Sequence, residues 1–360
     1  MTSEQRTSRT RPPLLPGLLI ALTLAASPLG AIGCGDDDDD SDSGETTTAQ
    51  AVGPSLTALP LGDDKFSDAP RRGYVYLCGE PMGGAPEAAT GPWIDEKAGT
   101  WNAEEKVAVP GQVEHQSRFE IGEGGELRGI AGNDLPDHPT GEFPIPSDSE
   151  AYRYDQNPNE ISEQEIALDL PFNPVEAAEP SCMGGESGVL LTGTALFNGF
   201  DANGADAVAH EVQDDCDGHP QNTGIYHYHS QSACVTDNEP GEGHSPLVGY
   251  ALDGFGIYGH HGEDGEVLSN EDLDECHGHT HEIDWNGSPT ELFHYHSTYE
   301  FPYVVGCFRG EPAAMMVTQG GAGAAPGGAE QGGVPGEAPP EGAPPQGGPG
   351  GGAPPAAPGA

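Results

Sequence analysis

Basic residues are scarce in this chain. Twelve lysines and arginines stand against 59 acids among 360 residues, a formal charge of −47. A surface so acidic repels nucleic acid phosphates and anionic lipid headgroups, which argues against both as partners and leaves cations as favoured ligands. Aromatic residues make up only 7% of the chain. Residues 313–360 contain no aromatic and no basic residue, so this Gly/Pro/Ala-rich stretch has nothing with which to build a core and reads as a disordered tail. The motifs of several enzyme classes are also missing. There is no Gly-x-Ser-x-Gly elbow and no Walker loop, and "HEVQDD" has Asp214 where a His-Glu-x-x-His metalloprotease helix needs its second histidine.

One long apolar run is present, "LLPGLLIALTLAASPLGAIGC", preceded by Arg6, Arg9 and Arg11 and interrupted by Pro16 and Pro28. A basic start, a short apolar stretch and small residues at its end make residues 1–33 an export signal rather than a retained membrane helix. The ending at Cys34 resembles the lipobox of bacterial lipoproteins, which implies lipidation of Cys34 and contact with a membrane only through that anchor. Residues 34–70 open on Cys34 followed by "GDDDDDSDSGETTTAQ" and read as an acidic disordered tether. Residues 71–312 have the mixed apolar and turn-rich texture of one domain of about 240 residues, enough for a single core.

Within that domain the runs "GYVYLC" (73–78), "KVAVPG" (106–111), "RFEI" (118–121), "EIALDL" (165–170) and "GVLLTGTALF" (188–197) read as strands, the last as one central strand. "LVGYALDGFGIYG" (247–259) reads as two strands joined at "LDG". Only "ADAVAHEV" (205–212) and "NEDLDEC" (270–276) look helical. The expected fold is mainly β, a β-rich α+β domain with long loops, stapled by disulfides.

Twelve of the fourteen histidines lie between His210 and His296, in two similar strings. The first runs Cys216, His219, His227, His229, Cys234; the second runs Cys276, His279, His281, His294, His296, Cys307. This is an internal duplication. Its frame favours Cys216–Cys234 and Cys276–Cys307, leaving Cys78 and Cys182 to pair, as suits an exported domain. On a strand, residues i and i+2 share a face, so His227 with His229, and His294 with His296, turn together while Tyr226, Tyr228, Phe293 and Tyr295 face the other way. If the duplicated strands pair, these four imidazoles converge on one metal, copper or zinc. His279 and His281 then complete the shell or build a second site, and His219 belongs to the same candidate set. "DANGAD" offers Asp201, Asn203 and Asp206 but lacks the closing glutamate of a calcium loop, so an Asx turn is the better reading.

The block from "RRGYVYLCGEP" to "GCFRGEP", through "ALFNGFDANGADAVAHEVQDDCDGHPQNTGIYHYH" and "FHYHSTYEFPYVVGCFRG", resembles the bacterial YHYH family. That resemblance implies an identity without an established activity, and it supplies no catalytic residues. The residues themselves point first to metal binding at the cell envelope. A metal-dependent hydrolase or oxidoreductase with Asp253 or Glu275 as base is the enzymatic alternative. A metal-free groove for an extracellular glycan or peptide is the third.

Overall fold

The computed structural model describes residues 53–81, 83, 90–238 and 241–314, and the backbone of 316–319, all within one compact unit, Ala49–Ala360. The export signal, Cys34, the acidic tract that follows it and residues 320–360 lie outside the described residues.

Alternation dictates the first sheet. Along β8 (Gln164–Pro171), Ile166, Leu168 and Leu170 are buried while Glu165, Ala167 and Asp169 face out. A period of two lets one face pack and the other stay solvated. Hairpin strands β6 (Phe119–Gly124) and β7 (Leu127–Gly132) pair beside β8, and a late strand, β17 (Met316–Gln319), adds antiparallel to its other edge. Five two-residue strands precede them: β1 (Leu59–Pro60), β2 (Phe66–Ser67), β3 (Val75–Tyr76), β4 (Ile94–Asp95) and β5 (Thr100–Trp101). The folded unit is therefore wider than residues 71–312. Leu59 is buried in the core, and β17 lies beyond the expected end. Leu59 and Phe66 supply the apolar surface that the acidic tract lacks.

The larger sheet carries the duplication. Its elements are β9 (Glu186–Leu190), β10 (Ala195–Phe197), β11 (Gly218–Pro220), β12 (Tyr226–Tyr228), β13 (Leu247–Ala251), β14 (Gly256–Tyr258), β15 (Gly278–Trp285) and β16 (Ser288–His296), in the order β11-β12-β10-β9-β13-β14-β16-β15. The order is a palindrome of two four-strand units. In each, the first two strands form an antiparallel hairpin, the fourth pairs parallel with the second, and the third closes the edge. The units meet where β9 pairs antiparallel with β13, so a pseudo-twofold axis passes between these strands. The duplication thus begins earlier than the histidines, with "GVLLTGTALFNG" (188–199) matching "GYALDGFGIYGH" (249–260).

The mainly β expectation holds, with details corrected by turn chemistry. Residues 188–197 form a hairpin rather than one strand, because Gly193 turns the chain at φ 95°. Residues 106–111 contribute only an isolated bridge at Val109. Residues 270–276 fold as turns, with Asp272 accepting from the Ser269 amide. The one α-helix among the described residues, α1 (Ala207–His210), is a single turn capped by Asp206. Asp201 accepts from the amides of Asn203 and Ala205, an Asx turn, while Asp206 accepts from the Tyr303 hydroxyl at 2.8 Å. The segment thus forms the Asx turn expected of it.

Candidate metal centres

The same local device opens each site. Asp214 Oδ1 accepts from the amides of Cys216 and Gly218, and Asp274 Oδ1 accepts from those of Cys276 and Gly278. Between them Asp217 and His277 take left-handed backbone, at φ 61° and 76°. This tight turn launches β11 and β15 antiparallel to the histidine strands. Across that pairing His219 sits opposite His227, and His279 opposite His294. Directly opposed residues share a face, so the "GH" histidine joins the His-x-His pair in both copies. The disulfides Cys216–Cys234 and Cys276–Cys307 tie each turn down, and Cys78–Cys182 forms elsewhere.

The aromatic partners occupy the opposite face. Tyr226 donates to Asp214 at 2.9 Å, Tyr228 donates to Thr192 at 3.1 Å, and Tyr295 donates to Asp253 at 2.6 Å. Asp253 also accepts from the amides of Arg309 and Gly310. Its carboxylate is thus committed to structure, and Glu275 lies 3.9 Å from Arg309. Neither residue is placed as a base beside the imidazoles.

The four histidines of the two "HYH" strings do not meet. Strands β10, β9, β13 and β14 stand between β12 and β16, which at about 4.8 Å per strand separates them by roughly 24 Å. The expectation of one shared centre fails because the copies join through β9 and β13, not through the histidine strands. Each copy instead assembles its own cluster.

The first cluster is His219, His227 and His229, all at most 4% exposed. Nε2 of His227 lies 3.1 Å from Nε2 of His229. Oε2 of Glu211 lies 3.3 Å from Nε2 of His219 and 3.4 Å from that of His229. Glu211 is delivered by the end of α1, where the backbone turns extended. Four donors on a tetrahedral zinc, at bond lengths of about 2.0–2.1 Å, stand about 3.3 Å apart, so these separations fit.

The second cluster is His244, His279, His281, His294 and His296, whose ligand atoms lie within 4.8 Å of one another. Nε2 of His244 is 3.3 Å from that of His294 and 3.1 Å from that of His296, and Nε2 of His279 is 3.1 Å from that of His281. His294 and His296 are fully buried, while the other three are partly exposed. Sequence reading missed His244. It lies in the loop before β13, outside both histidine strings, and only the fold brings it in.

The outer nitrogens decide what these contacts mean. Nδ1 donates to a backbone carbonyl in six of the eight imidazoles: His227 to Ile225, His229 to Asn198, His244 to Ser245, His281 to Glu282, His294 to Leu292 and His296 to Gly259. The carbonyls of Asn198 and Gly259 are equivalent under the duplication. A neutral ring that donates from Nδ1 carries a lone pair on Nε2. Nitrogen lone pairs 3.1 Å apart repel, and a cation between them converts the repulsion into coordination. In the first cluster, Glu211 Oε2 and both nitrogens of His219 are buried without a hydrogen-bond partner, so these donors are uncommitted.

Burial sets the protonation. It holds His219, His227 and His296 well below the ordinary imidazole range and lowers His229 and His279 to about 4. At neutral pH these rings are neutral, as ligands must be. Burial, with help from Asp201 and Asp155, raises Glu211 to about 8. A third grouping, His138 with Cys216 and Cys234, offers no thiolate because its cysteines form a disulfide. His138 lies instead beneath the first cluster, its Nε2 2.7 Å from the Tyr228 hydroxyl.

Residues 167–266 match the family described as YHYH protein. The match covers the whole first copy and the β13–β14 hairpin of the second, and stops before β15 and β16. No curated protein and no solved structure matches the chain.

Proposed function

We propose that the YHYH segment is the first part of a two-centre metal-binding domain working in an oxidising compartment outside the cytoplasm, at the cell envelope. The observation that carries this reading is the common aim of the Nε2 lone pairs, enforced by Nδ1–H bonds to backbone carbonyls. Outer-shell bonds of this kind fix tautomer and ring orientation at metal centres. Copper and zinc are the ions that imidazole donors suit. Three disulfides favour an oxidising compartment, and a lipid on Cys34 would hold the domain at a membrane.

Elemental analysis of the purified chain, loaded and then dialysed, tests the proposal. Two equivalents of metal per chain are expected. His229→Ala should remove one and His296→Ala the other. A chain that retains no copper or zinc overturns the reading, as does a wild-type chain that holds only one equivalent and loses it in both variants.

A further inference from the structure

Resting on the two-centre reading, we infer that the centres take different ions: zinc at Glu211, His219, His227 and His229, and cupric ion at the five-histidine cluster. The sites descend from one duplicated unit yet differ in donor number, charge and access.

The first centre offers four donors, three imidazoles and one carboxylate. Three of its six donor separations, at 3.1, 3.3 and 3.4 Å, match a tetrahedron's edges at zinc bond lengths. It is closed. All three histidines are at most 4% exposed, and Phe197 stacks on His227 at 4.2 Å. The carboxylate matters in so buried a place, because it cancels one of the two charges of the ion. A rigid four-donor cage suits zinc, which has no electronic preference of geometry, and it handicaps cupric ion, which favours tetragonal surroundings.

The second centre has five imidazoles. Two substitutions supply its additional imidazoles, and no carboxylate stands where the first has Glu211. His281 stands where the first copy has Gln221, and His244 where the matching position is Met183. Five nitrogen donors exceed a tetrahedral shell and supply a square plane with an axial ligand, the arrangement cupric ion prefers. The site is also open, since His244, His279 and His281 are partly exposed. A doubly charged ion with only neutral ligands can therefore be balanced by water and by Glu263, which lies 3.6 Å from His281. In the first copy a carboxylate serves that purpose from inside the shell.

The test is competition. Metal-free chain receives one equivalent each of Cu(II) and Zn(II), and copper is followed by electron paramagnetic resonance. The expected spectrum is one tetragonal species with nitrogen superhyperfine splitting, and copper should favour the five-histidine site by at least about tenfold. His281→Gln installs the residue of the first copy at an accessible position, so the fold should survive. It should shift the copper spectrum and weaken copper binding without touching the bound zinc, whose ligands are read by X-ray absorption. His229→Ala should lose zinc and keep the copper signal. Copper spread evenly over both sites, or a copper signal lost in His229→Ala but unchanged in His281→Gln, overturns the assignment while leaving two metal centres standing. A wild-type chain that binds neither ion overturns the assignment together with the reading beneath it.

Discussion

Glu211 and the buried histidines titrate in opposite senses. Glu211 is pushed up to about 8 by burial, so in the metal-free fold it holds a proton at neutral pH. A carboxyl whose folded pKa lies above its unfolded value near 4.5 contributes stability that is lost as pH rises from there toward 8. A metal ion must displace that proton, whereas the rings are already neutral and release none. Calorimetric titration at pH 7 in two buffers of different ionisation heat should therefore report about one proton released per first-centre ion, and Glu211→Gln should abolish it. The same substitution removes a ligand. Outer-shell losses alone cost about 10–100-fold in affinity, so at least about 100-fold is expected here. The histidines act at acid pH. His229 and His279 titrate near 4 and the non-ligand His277 near 3, all lowered by burial. Their unfolded counterparts take up protons near 6.5, so the metal-free domain should lose stability steadily as pH falls from about 6.5 to 4. A melting temperature unchanged across that window would contradict the burial of these rings.

At the scale of elements, the critical contact is where the two copies meet. Gly188 on β9 and Gly249 on β13 occupy equivalent positions in the duplication. A Cβ at Gly188 would lie 2.4 Å from the Tyr250 carbonyl oxygen, and one at Gly249 would lie 2.6 Å from that of Val189. Backbone cannot yield as a side-chain tip can, so either alanine forces the two units apart. Gly188→Ala and Gly249→Ala should each cost about 1–3 kcal/mol, measured by chemical denaturation. They should leave each centre's donors intact, and with them the two equivalents of metal in whatever chain is folded. A second joint is Arg128, 1% exposed, which lies over Tyr250 at 4.3 Å and Trp285 at 4.9 Å and donates to Asn286. It couples the β6–β8 sheet to the second copy through its stem and its stacked guanidinium.

For the whole molecule, the disulfides differ in reach. Cys78–Cys182 spans 104 residues, whereas Cys216–Cys234 spans 18. In the chain-entropy account these closures stabilise by about 5 and about 3 kcal/mol. Replacing Cys78 and Cys182 with alanine should lower the melting temperature more than replacing Cys216 and Cys234. The local pair should act chiefly on the first metal centre, because it anchors the turn that carries His219.

The sequence by itself determined the components of this domain. The alternation at 165–170 declared a half-buried strand, the repeated Cys, Gly-His and His-x-His strings declared a duplication, and the i, i+2 spacing put each histidine pair on one face away from its tyrosines. These are local properties, set by the pleat and by turn chemistry within a few residues. Only the tertiary structure decided how the copies are joined. Pairing β9 with β13 puts four strands between the histidine strands, and makes two histidine clusters where spacing suggested one. It also brought in His244 from a loop and Glu211 from the end of a one-turn helix, candidate ligands that no periodicity marks. A loop or a helix end is aimed by everything packed around it, so the direction of such a side chain is a property of the whole fold.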